Sequence, residues 1–353
     1  MYVAKTGLIV GALIATLFVV VLSSIPSGYA AKTASPSNNG KIQSGASRAE
    51  VQPEQVILFV LEGVGKDSLK TGAMPVLSRL VKDGSVTWSA AAVTPALRLP
   101  TMASLFTGMP VEKHGITWNA FDFIRGYPRP PTVFDYLDLS GGKDSAIFFM
   151  DESLYQLAKP EPYTDYQMCG PLKPECSPAM LVNYIRQYFK KATSGHGYGH
   201  AILSLPHFLV VHLPEPTRAG EADGWNSKGY REALKTVDAA MGSVLDLYKE
   251  LGLLEHTTIL VTSLSGMGES RPQEETQATA ARVPRVLWLA SGAGIKAGHT
   301  IAQPVSILDT GATVLRTLGL DTYTEWDSRP IEEIFRSPRT AAAEPALAPT
   351  AAQ

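Results

Sequence analysis

The stretch VILFVLEG, residues 56–63, begins the part of this 353-residue chain that has the pattern of a globular domain. Its six consecutive apolar residues, with β-branched side chains among them, are typical of a strand buried on both faces of a parallel sheet. Glu62-Gly63 then forms an acidic-glycine turn, and apolar residues recur at helical spacing over 73–83. Strand, turn and helix in this order predict the first unit of an α/β fold.

The same alternation continues along the chain. Further strands are predicted around 86–88 and at 145–150, 207–213, 257–263 and 286–289, and further helices at 100–107, 177–192, 229–252 and 305–318. Alternating strands and helices predict a doubly wound, mostly parallel sheet with helices on both faces.

Composition divides the chain into four parts. Residues 1–30 contain an apolar run preceded by Lys5, which is typical of a signal peptide or an N-terminal membrane anchor. Residues 31–53 have the composition of a flexible linker, and 338–353 that of a disordered Ala/Pro-rich tail. The remaining residues, 54–337, form a single predicted domain.

The N-terminal segment also predicts the location of the domain. A cleaved signal peptide and an uncleaved anchor both export it to the periplasmic or extracellular side, and we favour an anchor formed by residues 7–25. The chain has two cysteines, Cys169 and Cys176, with a Pro/Gly-rich stretch between them. In an exported chain this spacing favours a local disulfide over two free thiols.

The charge of the chain excludes one class of partner. The net charge is −2, and charged residues make up 18% of the sequence. There is no basic stripe and no run of Lys and Arg interleaved with aromatic residues, so we expect no binding to nucleic acid.

Several motifs carry a resemblance to a known superfamily. They are MPVLSRLVKDG from Met74, LPTMASLFTGMPVEKHGI from Leu99, HLPEPTRAGEADGW from His212, the long segments from Ala233 and Arg282, and WDSRPIEEIF from Trp326. In order and spacing they resemble the alkaline phosphatase superfamily, within it the type I phosphodiesterase and nucleotide pyrophosphatase group, with sulfatases as cousins. The resemblance covers roughly residues 54–336 and implies the same doubly wound fold. Only 120–206 is available for the cap that such proteins often carry, so we expect a minimal cap.

The resemblance also implies where a reaction centre is expected. Family members hold two divalent cations, usually zinc, with carboxylates and imidazoles, and they use a Thr, Ser or modified Cys as nucleophile. Carried over to this sequence, the first metal-binding Asp falls on Glu62 and the nucleophile falls on Arg98. The following ligand positions fall on Thr217, Glu221, Leu264 and Ser265.

These substitutions predict a dismantled reaction centre with no catalytic residue. A guanidinium stays protonated and cannot attack phosphorus, and a fixed cation at Arg98 repels a divalent metal placed beside it. Glu62 and Glu221 are the only weak candidates for metal ligands. No His lies between Gly266 and Pro284, where the family's last ligand is expected. We therefore expect no cofactor, with zinc as the alternative.

A cluster of charged side chains is a physical replacement for the metals. If Glu62, Arg98 and Glu221 converge, the guanidinium neutralises two carboxylates that cations otherwise neutralise. The alternatives are that Arg98 turns outward into solvent or holds an anionic ligand. If the chain is an enzyme, Thr101 is the alternative nucleophile.

Three functions follow from these patterns. The first is a catalytically inactive phosphodiesterase-like protein, exported and membrane-anchored, that acts as a binding or assembly subunit with a membrane or periplasmic protein as its partner. The second is a metal-dependent phosphodiesterase or phosphoric-ester hydrolase with an unusual ligand set. The third is a metal-free anion receptor that recognises its ligand through Arg98.

The remaining histidines are expected to be structural. His207 and His212 flank a predicted strand at odd spacing, so they point to opposite faces and do not share a metal. His114 belongs to an element that looks structural in the family, and a hydrogen-bonded turn is the favoured interpretation. His196 and His200 lie among three glycines, which favours a surface loop over a helical zinc site.

Overall fold

The computed structural model describes residues 52–139, 142–158, 164–168, 176–194, 204–268 and 283–336. The chain divides into two compact units, 1–48 and 49–353, and all described residues belong to the second. The predicted anchor, most of the linker, the C-terminal tail and the loop with His196 and His200 lie outside the described residues. So does Cys169, and the disulfide to Cys176 stays a prediction. Within the described ranges, no helix combines the length and apolarity needed to cross a bilayer.

Eight strands form one sheet in the order β4-β3-β5-β1-β6-β7-β2-β8. Their bounds are β1 Gln55–Leu61, β2 Gly84–Ala91, β3 Ser145–Phe149, β4 Thr164–Met168, β5 Phe208–Leu213, β6 Thr257–Ser263, β7 Arg285–Gly292 and β8 His299–Thr300. The five strands from β4 to β6 are parallel, which confirms the predicted mostly parallel sheet. Only β7 runs antiparallel to both of its neighbours.

Helices cover both faces of the sheet, as the alternation predicts. Their bounds are α1 Lys66–Lys70, α2 Pro75–Asp83, α3 Arg98–Thr107, α4 Val111–His114, α5 Val133–Leu139, α6 Pro178–Thr193, α7 Glu215–Asp223, α8 Lys228–Glu250 and α9 Asp309–Thr317. Short 3-10 helices lie at Glu152–Leu157, Leu254–His256 and Glu332–Ile334.

Strand β1 shows how the two layers divide the core. Val56, Leu58 and Val60 pack into a cluster with α3, α5 and α9, whereas Ile57 and Phe59 pack into a cluster with α2, α6 and α8. Alternate side chains of one strand therefore bury on opposite faces, because the pleat points successive residues in opposite directions. This two-sided burial explains the continuous apolar run at 56–61.

The described part of the region predicted to supply a minimal cap forms strands and helices of the α/β domain. Of residues 120–206, the described parts form α5, β3, β4 and α6, and β3 and β4 extend the sheet beyond β5. The sequence pattern did not predict the strands β4 and β8 or the helices α1, α4, α5 and α7.

Candidate functional site

Four adjacent parallel strands, in the order β3, β5, β1 and β6, end at the same edge of the sheet. The residues at or just beyond their carboxyl ends include Asp151, Glu215, Glu62 and Ser265. In open α/β sheets, ligands bind in the crevice at this edge. The positions that the sequence singled out therefore lie where the fold places a functional site.

Arg98 and Glu62 form the centre of this edge. Arg98 is the first residue of α3, and its Nε and Nη2 donate to Oε1 and Oε2 of Glu62 at 2.7 and 3.0 Å. Its Nη1 donates to Oδ2 of Asp151 at 2.8 Å. The Glu62 side chain is buried and that of Arg98 is 18% exposed, so Arg98 is a partly buried guanidinium between two carboxylates.

The structure thus brings Arg98 and Glu62 together and does not turn Arg98 into solvent. Burial opposes the charge of Arg98, but Glu62 and Asp151 outweigh it and raise the pKa of the guanidinium above its usual value. Glu221, the third member of the predicted cluster, is exposed and contributes to this shift only through its charge, and the second carboxylate that Arg98 donates to is Asp151.

His212 lies inside the cluster and was not predicted there. It is fully buried at the end of β5, and its Nε2 lies 2.9 Å from Oε1 of Glu62. Its Nδ1 accepts from the backbone N–H of Met150 at 3.4 Å, so Nε2 carries the proton and donates to Glu62. Burial lowers the pKa of His212, which keeps the ring neutral. His207 accepts from Asp144 N at the other end of β5, and the two histidines act apart, as predicted.

Asp151 is the second member of the cluster that the sequence did not reveal. Its Oδ1 accepts from the backbone N–H and the hydroxyl of Ser153, and Nη2 of Arg218 lies 3.5 Å from its Oδ2. Burial alone raises the pKa of Asp151, but the Arg98 charge and the Ser153 hydrogen bonds hold it below its usual range. Asp151 is therefore a carboxylate at neutral pH.

Helix α7 supplies a carboxyl group, that of Glu215, whose pKa is raised where that of Asp151 is lowered. Both carboxyl oxygens of Glu215 are buried without a hydrogen bond from another residue, and the nearest cation, Nη1 of Arg218, is 3.7 Å away. Burial raises the pKa of Glu215 to about 7. Arg218 uses its Nη2 to donate to the carbonyl of Met150 at 2.6 Å, and its side chain is 45% exposed.

The other family ligand positions pack against one another. The hydroxyls of Thr217 and Ser265 lie 3.3 Å apart, and Ser265 Oγ accepts from the backbone N–H of Gly63 at 2.9 Å. Leu264 is buried, and its N–H donates to the carbonyl of Leu61. Side chains at these three positions therefore contribute hydroxyl contacts and apolar burial in place of charged donors.

Thr101, the alternative nucleophile, is fully buried in α3. Its hydroxyl donates to the carbonyl of Leu97 at 2.5 Å, one helical turn earlier. The oxygen is thereby turned towards its own helix and away from the crevice.

His114 has the structural role predicted for it. Its Nδ1 accepts from the N–H of Ile116, and its Nε2 lies 2.9 Å from the hydroxyl of Ser104. Burial lowers the pKa of His114 to about 4, so the ring stays neutral and holds the turn after α4.

The donor set does not fit a two-metal centre. Both oxygens of Glu62 are engaged by Arg98, and the positions of further ligands carry Thr217, Leu264 and Ser265. Across the described residues, no group of three or more His, Cys, Asp or Glu side chains has a metal-binding arrangement. Divalent sites require three or four well-placed donors, so the cluster around Arg98 is an ion-pair network.

Asp151 and His212 had one signal in the sequence. Each lies at the carboxyl end of a predicted buried strand, 145–150 or 207–213, and these ends meet at one edge in a parallel sheet. Polar residues at this edge are candidates for the site even when no motif includes them.

The doubly wound sheet and the position of the cluster define an alkaline phosphatase-like protein. The family model for type I phosphodiesterase / nucleotide pyrophosphatase matches residues 56–297, and the chain belongs to this family.

Curated relatives agree with this assignment. The chain is 25% identical over 233 residues to rat ectonucleotide pyrophosphatase/phosphodiesterase family member 1, which covers 62% of this chain and 24% of the relative. It is 21% identical over 229 residues to the human bis(5'-adenosyl)-triphosphatase ENPP4, covering 61% of this chain and 48% of the relative. The chain thus spans between about a quarter and a half of the length of these relatives.

Solved structures show the same fold. Murine ectonucleotide pyrophosphatase / phosphodiesterase 5 superposes with a TM-score of 0.56 at 13% identity, covering 76% of this chain and 96% of the murine chain. A 2-O GAG sulfatase superposes with a TM-score of 0.60 at 13% identity, covering 83% of this chain and 76% of the sulfatase. Both lie within the alkaline phosphatase superfamily that the motifs predicted.

Gly63 offers a test of how tightly the turn under the cluster is packed. Its φ is +71°, and a Cβ at this position would lie 2.7 to 3.0 Å from atoms of Thr217. Gly72 has a similar φ of +69° with nothing within 4 Å. We expect Gly72→Ala to lower the free energy of unfolding by about 1–2 kcal/mol from backbone strain, and Gly63→Ala by about 1–3 kcal/mol more from the clash. Urea unfolding of both variants measures the difference. Equal losses of unfolding free energy would show that the backbone around Gly63 moves to make room for the Cβ.

Proposed function

We propose that this chain is a catalytically inactive member of the type I phosphodiesterase family that acts as a binding or assembly subunit. One observation carries the proposal: the guanidinium of Arg98 lies between Glu62 and Asp151 at the edge of the sheet where the family resemblance places nucleophile and metals.

The chemistry of the cluster supports inactivity. Arg98 offers no nucleophilic lone pair at any relevant pH. Its positive charge neutralises Glu62 as a metal would, and His212 supports the same carboxylate as a neutral donor. A divalent cation that enters this position has to displace a bidentate guanidinium from a buried carboxylate, and Thr217, Leu264 and Ser265 offer it no charged donor at the family ligand positions.

The predicted N-terminal anchor at 7–25 supports an exported, membrane-tethered protein. The names of the ectonucleotide relatives agree with placement outside the cytoplasm. A retained fold on a membrane tether favours a membrane or periplasmic protein as the partner.

Two other functions have weaker support. A hydrolase with Thr101 as nucleophile requires that its buried hydroxyl leave Leu97 and reach the crevice. An anion receptor built on Arg98 requires that an incoming anion compete with Glu62 and Asp151 for the guanidinium. Both functions therefore require that hydrogen bonds or ion pairs seen in the structure break, whereas the proposed inactive protein keeps them.

Metal content and turnover test the proposal together. We expect the purified full chain, incubated with zinc and desalted, to retain less than stoichiometric zinc and not to hydrolyse bis(p-nitrophenyl) phosphate. Arg98→Thr, which restores a family-type nucleophile, is expected to stay inactive because Thr217, Leu264 and Ser265 still occupy ligand positions. Stoichiometric zinc with turnover that disappears in Thr101→Ala would establish the hydrolase instead.

Titration with inorganic phosphate and with AMP tests the receptor. We expect no saturable heat of binding by calorimetry. Binding that is present in the wild type and lost in Arg98→Gln, without turnover, would overturn the assembly role in favour of anion recognition.

A further inference from the structure

Apolar side chains are concentrated on one exposed loop beside the site. We name residues 120–127 the Phe123 loop. Phe123 and Ile124 are 85% and 94% exposed, and Phe121 and Tyr127 are 47% and 44% exposed. Four of the seven large hydrophobic side chains exposed in the described residues lie in these eight positions. Single exposed apolar residues are ordinary, whereas a contiguous group marks an interaction surface.

Hydrogen bonds from the side chains of Gln156 and Asp122 hold the backbone of the loop in place. Gln156, almost completely buried, accepts from the N–H of Asp122 through Oε1 at 2.9 Å. Its Nε2 donates to the carbonyls of Asp122 and Gly126. Oδ1 of Asp122 accepts from the backbone N–H groups of Ile124 and Arg125 at 3.0 and 3.4 Å. These backbone N–H and C=O groups already have partners within the protein. They therefore stay hydrogen-bonded if the tip is transferred from water into an apolar environment.

The charges of the loop favour an anionic surface. Asp122 and Arg125 neutralise each other, because Oδ2 of Asp122 lies 3.1 Å from Nε of Arg125, and Arg129 leaves residues 120–129 with a net charge of +1. Arg125 also stacks over the ring of Trp118 at 5.1 Å, and Arg129 is exposed beside the loop. Aromatic residues together with arginines are the composition of protein surfaces at the membrane–water interface.

The exposure of the loop favours lipid over a protein partner. Its two most exposed side chains, Phe123 and Ile124, are adjacent in sequence and almost fully exposed, and a fluid bilayer accommodates them without a preformed pocket. The loop lies at the carboxyl edge of the sheet, since Asn119 just before it caps the N-terminus of α3. Residues 26–54, between the predicted anchor and β1, extend to at most about 100 Å, enough for that edge to face the membrane.

We propose that the Phe123 loop inserts Phe123 and Ile124 into the interfacial region of a phospholipid membrane with anionic head groups. The inference shares the membrane tether with the proposed function but does not depend on whether the reaction centre is active. Zinc content and diester turnover report on the centre, and lipid contact reports on the loop, so the two can fail separately.

The test uses the full chain with a fluorescent reporter at the rim of the loop. Tyr127→Cys is labelled with an environment-sensitive nitrobenzoxadiazole probe and combined with vesicles of phosphatidylethanolamine and phosphatidylglycerol that contain a doxyl-lipid quencher. The labelled wild type reports any background from Cys169 and Cys176. Leu251→Cys, exposed where α8 ends at the opposite edge of the sheet, is the control position.

We expect a blue shift and quenching at position 127 and neither at position 251. Phe123→Ser combined with Ile124→Ser is expected to lower the lipid-inserted fraction of the loop about tenfold or more, with an unchanged melting temperature. Vesicles of phosphatidylcholine alone are expected to give a weaker signal. Equal quenching at both positions, or quenching that survives the double substitution, would show that only the tether holds the protein near lipid and would overturn the proposal. A signal at position 127 that depends on protein concentration without lipid would instead make the loop a contact between copies.

Discussion

Replacing Arg98 with methionine is expected to lower the free energy of unfolding by about 3–5 kcal/mol at pH 7. The substitution keeps much of the aliphatic volume but removes the guanidinium that pairs with the buried Glu62 and leaves Asp151 without its main cation. An uncompensated buried carboxylate costs more than the net stabilisation of the intact pair, because the desolvation cost remains when the attraction is lost. Equilibrium unfolding in urea with circular dichroism measures the change.

A surface ion pair of similar length is the matched control. Nζ of Lys113 lies 2.6 Å from Oδ1 of Asp327, with the two side chains 52% and 39% exposed. Lys113→Met is expected to change the free energy of unfolding by less than about 1 kcal/mol, since water screens exposed charges. A loss in Arg98→Met no greater than in Lys113→Met would mean that Glu62 is solvated or protonated in the native protein.

The pH dependence of the stability loss in Arg98→Met distinguishes the contribution of charge from that of packing. The folded pKa of Asp151 lies below its usual value of 3.8. Its contribution to stability is therefore complete above the unfolded pKa and is lost as pH falls through the lower folded value. We expect the difference between wild type and Arg98→Met to shrink below about pH 4, whereas a loss of packing alone would persist there.

The sequence predicted the layers of the fold because the signals are local. The apolar run at 56–61 predicts a strand buried on both faces, and alternation of strands with amphipathic helices predicts the doubly wound sheet. A buried apolar run does not specify strand direction, and the antiparallel orientation of β7 was therefore not predicted. Helix α7 was missed because it has no apolar repeat and contains Gly220. Packing explains why a glycine stands inside this helix, since a Cβ at position 220 would lie 2.5 Å from the ring of Trp225.

The site was predicted only in part, because motifs are local signals and identify only some of its residues. Motif positions identified Glu62 and Arg98, which meet in the structure across 36 residues of sequence. The contacts of Glu62 with His212 and of Arg98 with Asp151 join residues 150 and 53 positions apart, and no motif links them. The strand order, with β1 beside β5 and β5 beside β3, is what brings these side chains together. Partners in such a network follow from topology, which local patterns do not encode.

Glu215 is expected to make the protein less stable as pH rises from about 4.5 to about 7. Its folded pKa is raised from 4.5 to about 7 by burial, so the native protein holds this proton over a range in which the unfolded chain has released it. Native protein then binds more protons than unfolded protein, and stability falls with rising pH until the folded group has also ionised. The shift corresponds to about 3 kcal/mol for a side chain that is 18% exposed.

Glu215→Gln removes the ionisation and is expected to flatten this part of the stability profile. The variant should match the wild type near pH 4.5 and exceed it by up to about 3 kcal/mol at pH 8, where the wild type keeps a buried charged carboxylate without a hydrogen bond from another residue. Urea unfolding at several pH values gives both profiles. Glu232→Gln is the control, because Glu232 is exposed on α8 and paired with Lys235 at 2.8 Å, and its profile should follow that of the wild type. Parallel profiles for wild type and Glu215→Gln would show that Glu215 ionises as it does in water, and that the crevice beside Arg98 admits solvent to this carboxyl group.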